Sequence, residues 1–381
     1  MENFEHISFQ NDWKLSSSAW YKLGQCKSII RAISNAPIQP EYRKKLLEIS
    51  LIKGAQATTA IEGNTLSLDE IREIQEGKNL PPSKEYQEIE IKNILDSYNE
   101  ILREITMIKK DELISSQLIL RFHKMIGKDL GDSFQAIPGQ FRRSNVTVGN
   151  YRPPNYEEVE ELMEKFCVWL KSSFKYSKGK ESFSDSIFEA IIAHVYIAWI
   201  HPFNDGNGRT ARLIEFYILL RAGLPDIASH VLSNFYNETR PEYYRHLDLA
   251  YRERDLSKFL EYAIRGLRDG LIKVLQIIQE NHFEILWKNY IYEIFKDVKY
   301  GSVAVFKRRR ELMLKFPKRG LFTSKEVVDS NHDLLRTYLR KSGLLLKRDL
   351  DELTKLNLLI RDGKKYKANT DILLNSFALR K

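Results

Sequence analysis

Apolar residues recur at helical spacing along most of the chain, and strand-like alternation is scarce. The spacing predicts helices over residues 42–54, 56–62 and 68–76. Residues 86–107 read as a long amphipathic helix, with apolar residues at Ile89, Ile91, Ile94, Leu95, Tyr98, Ile101 and Leu102. Residues 113–126, 156–171, 210–222, 243–250 and 256–280 follow the same rule. Residues 187–200 are apolar on nearly all sides, which predicts a buried central helix. A polar, Ser/Lys-rich stretch at 171–185 predicts a loop. The helical pattern also breaks over 131–154, where Val146-Thr147-Val148 alternates ahead of Gly149-Asn150, a turn or hairpin signature. In the tail, 334–346 and 350–359 read as two helices before a short hairpin at 361–366, an order that suits a winged-helix module. The expected fold class is mostly α.

With 43% hydrophobic and 11% aromatic residues, the 381-residue chain can bury a core, which excludes a disordered or collagen-like protein. Cys26 and Cys167 lie far apart and make no metal-ligand spacing, so a reducing interior is expected. Residues 1–14 lack the apolar stretch of a signal peptide. The longest near-apolar run, 190–200, is about half the length of a membrane span and contains His194. These features predict a soluble, cytoplasmic protein with no membrane partner. The net charge of +9 is unevenly placed: residues 301–381 hold 20 basic and 9 acidic side chains, and the rest is nearly neutral. Basic character therefore belongs to the tail.

The richest chemistry lies in His201-Pro202-Phe203-Asn204-Asp205-Gly206-Asn207-Gly208-Arg209-Thr210-Ala211-Arg212, between a buried helix and the first turn of the next. Gly206 and Gly208 free the backbone to form an anion nest at a helix N-terminus. Arg209 and Arg212, three apart, offer forks suited to phosphate oxygens. Asp205 is a hard oxygen ligand suited to Mg²⁺ held with polyphosphate. His201 can take a proton from a hydroxyl. Together they describe a nucleotide polyphosphate site with a general base beside it.

The stretch resembles the signature His-x-Phe-x-(Asp/Glu)-Gly-Asn-Gly-Arg-x-x-Arg of Fic-domain proteins at every fixed position. The resemblance implies the Fic helical fold and transfer of AMP from ATP to a Ser, Thr or Tyr hydroxyl of a target protein, with Mg²⁺ as cofactor. It implies that His201 is the base, that Phe203 anchors the loop and that Asp205 binds the metal. It also implies that Gly206, Asn207, Gly208, Arg209 and Thr210 contact ATP, with Arg212 reaching the γ-phosphate. Gly208 stands where related kinases of the Doc type carry Lys, which favours nucleotidyl transfer. Pro138-Gly139-Gln140-Phe141-Arg142, followed by Val146, Thr147, Val148 and Gly149, is similar to the β-hairpin flap on which a target protein docks. Tyr243, Tyr244 and Leu247 resemble the adenine pocket, while Tyr251 stands where relatives often carry Asn. Thr58-Thr59-Ala60-Ile61-Glu62-Gly63 resembles the family's inhibitory motif (Ser/Thr)-x-x-x-Glu-(Gly/Asn), in which Thr58, Glu62 and Gly63 act and Glu62 pairs with Arg212 against ATP.

The resemblance implies three segments: an N-terminal helical region with the inhibitory motif (1–110), the catalytic core (111–280) and a basic winged-helix-like domain (281–381). The expected activity is a self-inhibited protein adenylyltransferase, with modification of itself among its reactions. Three alternatives stay open at this point: a DNA-binding regulator whose core senses nucleotide, transfer from another nucleotide donor, and removal of AMP. The tail could equally dock a protein, and relatives often form homodimers.

Overall fold

Helices dominate because the apolar periodicity is helical and because the sequence supplies its own starts and stops. The computed structural model describes residues 7–109, 112–174, 183–298, 302–338 and 343–373. Two units separate at residues 276 and 277, inside one helix.

The first unit opens with α1 (Ser17–Ser34), whose first turn is capped by the Ser16 hydroxyl accepting from the Ala19 amide. Then come α2 (Pro40–Ile61), with proline at its first position, and α3 (Leu68–Gln75), opened by a Ser67–Glu70 capping box. Next is α4 (Glu85–Leu102), which runs on into a π turn (Arg103–Ile108). The remaining helices are α5 (Ser116–Ile126), α6 (Val159–Ser173), α7 (Phe183–Ile200), α8 (Asn207–Arg221), α9 (Val231–Glu238), α10 (Arg240–Glu253) and α11 (Ser257–Lys296), whose residues from Ile277 onward belong to the second unit.

At the centre, α7 and α8 pack on each other and are buried along almost their whole length. Helix α7 is long and apolar enough to cross a membrane by composition, but 78% of it is buried inside the protein. That is the buried central helix the sequence predicts.

The break expected near Gly54 is absent: α2 is one helix from Pro40 to Ile61. Gly54 serves a close approach instead. A Cβ there would lie 2.9 Å from the His230 Cβ, where α2 packs on α9. The loop expected at 171–185 is shorter at both ends, since α6 reaches Ser173 and α7 starts at Phe183; residues 175–182 lie outside the described ones.

The β-hairpin expected after residue 145 is reduced to one bridge. Val148 and Tyr151 exchange N–H···O bonds of 2.9 Å across Gly149-Asn150, with Gly149 at φ +57. The ladder stops there for a physical reason. Pro153 and Pro154 donate no N–H, and the Ser144 and Pro154 carbonyls accept from Arg142 instead.

The second unit contains α12 (Val303–Lys315), β1 (Phe322–Thr323), α13 (Ser324–Asp329), α14 (His332–Tyr338), α15 (Gly343–Lys355), β2 (Leu359–Asp362) and β3 (Lys365–Ala368). The strands form an antiparallel sheet in the order β1-β3-β2, with Tyr366 opposite both Phe322 and Arg361. Trp287, Ile291, Leu312, Met313, Leu350 and Leu358 build its core. Asp349 is fully buried within it and is compensated by Arg308 Nε (2.6 Å), Arg309 Nε (2.8 Å) and the Tyr338 hydroxyl (2.9 Å). The two helices expected at 334–346 and 350–359 are offset: α14 ends at Tyr338 and α15 starts at Gly343, with 339–342 outside the described residues. The expected hairpin is present and gains β1 as a third strand.

Candidate active site

Helix α7 delivers the site by ending. His201 follows Ile200 at φ +51, which turns the chain away from the helix axis. Its Nδ1 lies 3.3 Å from the Ala198 carbonyl. A carbonyl only accepts, so Nδ1 carries the proton and Nε2 keeps its lone pair. Burial, helped by the Arg142 charge and opposed by the Ala198 hydrogen bond, pushes the His201 pKa down to about 4. The ring is therefore neutral near pH 7, the state a general base requires.

The loop from 201 to 206 is fixed from inside. Phe203 is fully buried and stacks on His123 with 3.6 Å between centroids and 1° between planes. The Asn207 amide closes the loop, accepting from the Phe203 amide (2.9 Å) and donating to its carbonyl (2.8 Å). His123 accepts the Gly139 N–H at Nδ1 (3.0 Å) and so donates from Nε2 to the Asp205 carbonyl (3.0 Å). Burial holds the His123 pKa down to about 4, which keeps that pattern through neutral pH.

Gly206, at φ +80, caps α8, and a Cβ there would crowd Phe134 at 3.0 Å. The first helical bond of α8 runs from the Thr210 amide to the Gly206 carbonyl at 2.9 Å. The amides of Asn207, Gly208 and Arg209 thus open α8 without helical partners, a ready anion cradle. The Gly206 amide itself bonds the Asp205 carboxylate (2.5 Å).

The two arginines of the motif have different surroundings. Arg209 is buried and clasped by Glu90 of α4 and by Asp205 Oδ1 (2.7 Å). Glu90 also accepts from Asn64 Nδ2 (2.7 Å), just beyond the Thr58–Gly63 stretch. Arg212 is 1% exposed and faces α2: its Nε donates to Thr58 Oγ1 (2.7 Å), and its Nη2 donates to the Thr58 carbonyl (2.9 Å) and to Glu62 Oε1 (2.5 Å). Burial raises the Glu62 carboxyl, but the Arg212 charge and hydrogen bond outweigh it and leave its pKa below the usual value. Gly208 makes room for this pair, since a Cβ there would run into Glu62 Oε1 and approach Arg212 Nη1 to 3.0 Å.

A cleft of about 420 Å³ gathers Glu62, Val148, His201, Asn207, Gly208 and Arg212 with Tyr243, Tyr244 and Leu247. Tyr251 lines it too, edge-on to Tyr151 at 4.6 Å. Val146, Thr147 and Gly149 sit beside Val148 on the flap but are not on this lining, and Thr210 is buried in α8. Thr58 lies beneath the lining against Arg212, and Gly63 follows Glu62 at φ +103. Tyr243 is 2% exposed and its hydroxyl bonds His194 Nε2 at 2.9 Å, whereas Tyr244 is exposed and donates to the Ile61 carbonyl at 3.3 Å.

Asp205 suits Mg²⁺ as a single carboxylate, since that ion takes most of its other ligands from phosphates and water. Its side chain is 29% exposed, and its two bonds from the protein both go to Oδ1. Among the described residues there is no group of three His, Cys, Asp or Glu that would hold a metal unaided.

Sequence reading alone assigned no role to Glu90, His123 or Arg142. Arg142 stood inside a quoted motif, but Glu90 and His123 are single polar residues on amphipathic helices, marked by nothing until the fold brings them to the loop.

Residues 113–219 match the Fic/DOC family model. Over 229 residues the chain is 35% identical to protein adenylyltransferase fic-1 of Caenorhabditis elegans, covering 60% of this chain and 42% of that protein. It is 33% identical over 224 residues to protein adenylyltransferase Fic of Nematostella vectensis, covering 58% and 48%. The chain thus spans less than half the length of these curated relatives. Among solved structures, a Fic family protein from Desulfovibrio desulfuricans G20 shares the fold, with TM-score 0.56, 19% identity, and coverage of 94% of this chain and 98% of that one. Fic-1 from C. elegans aligns with TM-score 0.54 and 26% identity over 68% of this chain and 72% of that one. Signature, helical architecture and relatives agree on residues 113–219, which match the Fic domain of the Fic/DOC family.

Proposed function

We propose that the chain is a self-inhibited protein adenylyltransferase that moves AMP from ATP to a Ser, Thr or Tyr hydroxyl of a target protein, itself included. The relatives named protein adenylyltransferases support the reaction. The observation that carries the reading is the Arg212 cluster: a buried guanidinium at the start of α8, held by Thr58 and Glu62, on the same cleft as a neutral His201.

In this reading ATP lies along the cleft with its phosphates on the opening amides of α8. His201 Nε2 accepts the proton of the target hydroxyl. The hydroxyl oxygen bonds to the α-phosphorus while the bond from that phosphorus to the bridging oxygen breaks, and pyrophosphate leaves. Asp205 would hold Mg²⁺, which when bound would supply positive charge that neutralises the phosphates. Arg209 keeps Asp205 in place through its Oδ1 contact. Glu62 occupies the guanidinium that the γ-phosphate would take, which is the inhibition.

The test is incorporation from α-labelled ATP in the presence of Mg²⁺. Glu62→Gly is expected to raise labelling at least tenfold, on the order of one lost charge-assisted contact, and His201→Ala is expected to abolish it. Unchanged labelling in Glu62→Gly overturns the inhibition; retained labelling in His201→Ala overturns the base.

A second role is proposed for the second unit, as a winged-helix module that binds duplex DNA. Its helix–strand–helix–helix–helix–hairpin order supports this, and so do the exposed Lys364 and Lys365 at the β2–β3 turn. Absence of any gel shift with duplex fragments at low salt overturns it.

A further inference from the structure

We propose that Arg142 is the positioning residue that sets the flap at a fixed distance from the general base, its guanidinium tying both limbs of the flap to the carbonyl of His201. The proposal rests on the adenylyl-transfer reading for its consequence, and on geometry for its substance.

Arg142 is 4% exposed and sends three donors in three directions. Nε donates to the His201 carbonyl (2.9 Å), Nη1 to the Ser144 carbonyl (3.0 Å) and Nη2 to the Pro154 carbonyl. Its backbone N–H donates to the Pro202 carbonyl at 2.9 Å. Ser144 and Pro154 bracket the segment that carries the Val148–Tyr151 bridge, so one side chain fastens both flap limbs and the catalytic loop. A planar fork with separated donors can do this; a lysine ammonium at the end of a flexible stem cannot span the same three acceptors.

Stability alone explains the arrangement poorly. Each of these side-chain bonds ends on a carbonyl, and no carboxylate among the described residues accepts from this guanidinium. Burying an arginine without an ion pair costs free energy that an apolar residue of similar volume would not. What the guanidinium supplies is placement. His201 sits at φ +51, a region non-glycine residues enter only when the surroundings hold them there, and the Arg142 bond falls on that residue's own carbonyl.

The far end of the loop has its own fastening. His123 joins the Gly139 amide to the Asp205 carbonyl, so the segment 139–142 grips the loop at both Asp205 and His201. A target segment held by the flap then meets Nε2 at an offset that neither the flap nor the loop can change alone. Misplacement by about 1 Å costs on the order of a hundredfold in rate.

Two measurements decide the matter. The first needs no activity. Hydrogen–deuterium exchange of the full chain should be faster at the Val148 and Tyr151 amides in Arg142→Gln than in the parent, with the melting temperature unchanged. Unchanged exchange there overturns the proposal. The second uses the Glu62→Gly protein with α-labelled ATP. Adding Arg142→Gln or Arg142→Lys should cut the self-labelling rate about a hundredfold and leave affinity for a non-hydrolysable ATP analogue unchanged. Adding Arg142→Ala should give a protein that free guanidinium ion, at tens of millimolar, partly restores. Full-rate labelling in folded Arg142→Gln overturns the proposal. So does a loss in which analogue affinity and melting temperature fall together and guanidinium restores nothing. If the Glu62→Gly parent itself takes up no label, the adenylyl-transfer reading fails, and the exchange measurement still decides the role of Arg142.

Discussion

His201 ends a helix that is buried almost throughout, and its chemistry follows from that position. Burial keeps its pKa near 4 against an ordinary 6.5, so it stays an acceptor well below neutrality. The acid limb of the rate against pH in the Glu62→Gly protein is therefore expected near pH 4. A limb at 6.5 would show that the ring is not buried as described. The same shift has a stability sign. The folded chain holds a histidine of low pKa, so the unfolded chain binds protons first as pH falls below 6.5. Stability is full above that value and declines toward pH 4. His123 and His230 add to it, both buried with pKa pushed down to about 4. The melting temperature should fall between pH 7 and pH 5. At this scale the sequence was legible wherever chemistry was contiguous: His201 to Arg212, and Thr58 to Glu62. Glu90, His123 and Arg142 were not, because their meaning lies in partners far along the chain.

Helix α2 shows what periodicity leaves out. Its spacing announced helix on both sides of Gly54, and the glycine looked like a stop. The structure carries the helix through, because the missing side chain admits His230. Gly54→Val is expected to destabilise the fold by about 1–3 kcal/mol through overpacking. Equilibrium urea unfolding measures this, and an unchanged midpoint would mean that α2 and α9 do not meet at that position. The flap teaches the converse. Its turn was legible from Gly149-Asn150, but the ladder length was not, because it depends on which carbonyls Arg142 takes.

At the scale of the whole molecule, the charge is divided as the chain is. The first 300 residues are close to neutral, and residues 301–381 hold the excess of 11 positive charges. The catalytic reading therefore makes no use of net charge, and any nucleic-acid contact belongs to the second unit. In the DNA-binding reading proposed above, affinity for duplex DNA, followed by fluorescence anisotropy, should fall linearly with the logarithm of salt, by about 0.9 in slope for each phosphate neutralised. A flat response would exclude phosphate contacts as the source of binding. That unit's helix order was legible in outline, while β1 was not, since two residues carry no readable period.

Arg212 makes two bonds to Thr58 besides its bond to Glu62. In the self-inhibited reading proposed above, the guanidinium is thus in position before nucleotide arrives, and only one carboxylate, itself 31% exposed, has to swing aside. A side-chain rotation of that kind belongs to the fastest motions of a protein, far quicker than a helix withdrawing from its groove. Onset of labelling on mixing with ATP should accordingly show no lag, and restraint by Glu62 should act as a dial on nucleotide concentration. A slow first phase that Glu62→Gly removes would instead mean that α2 itself has to leave.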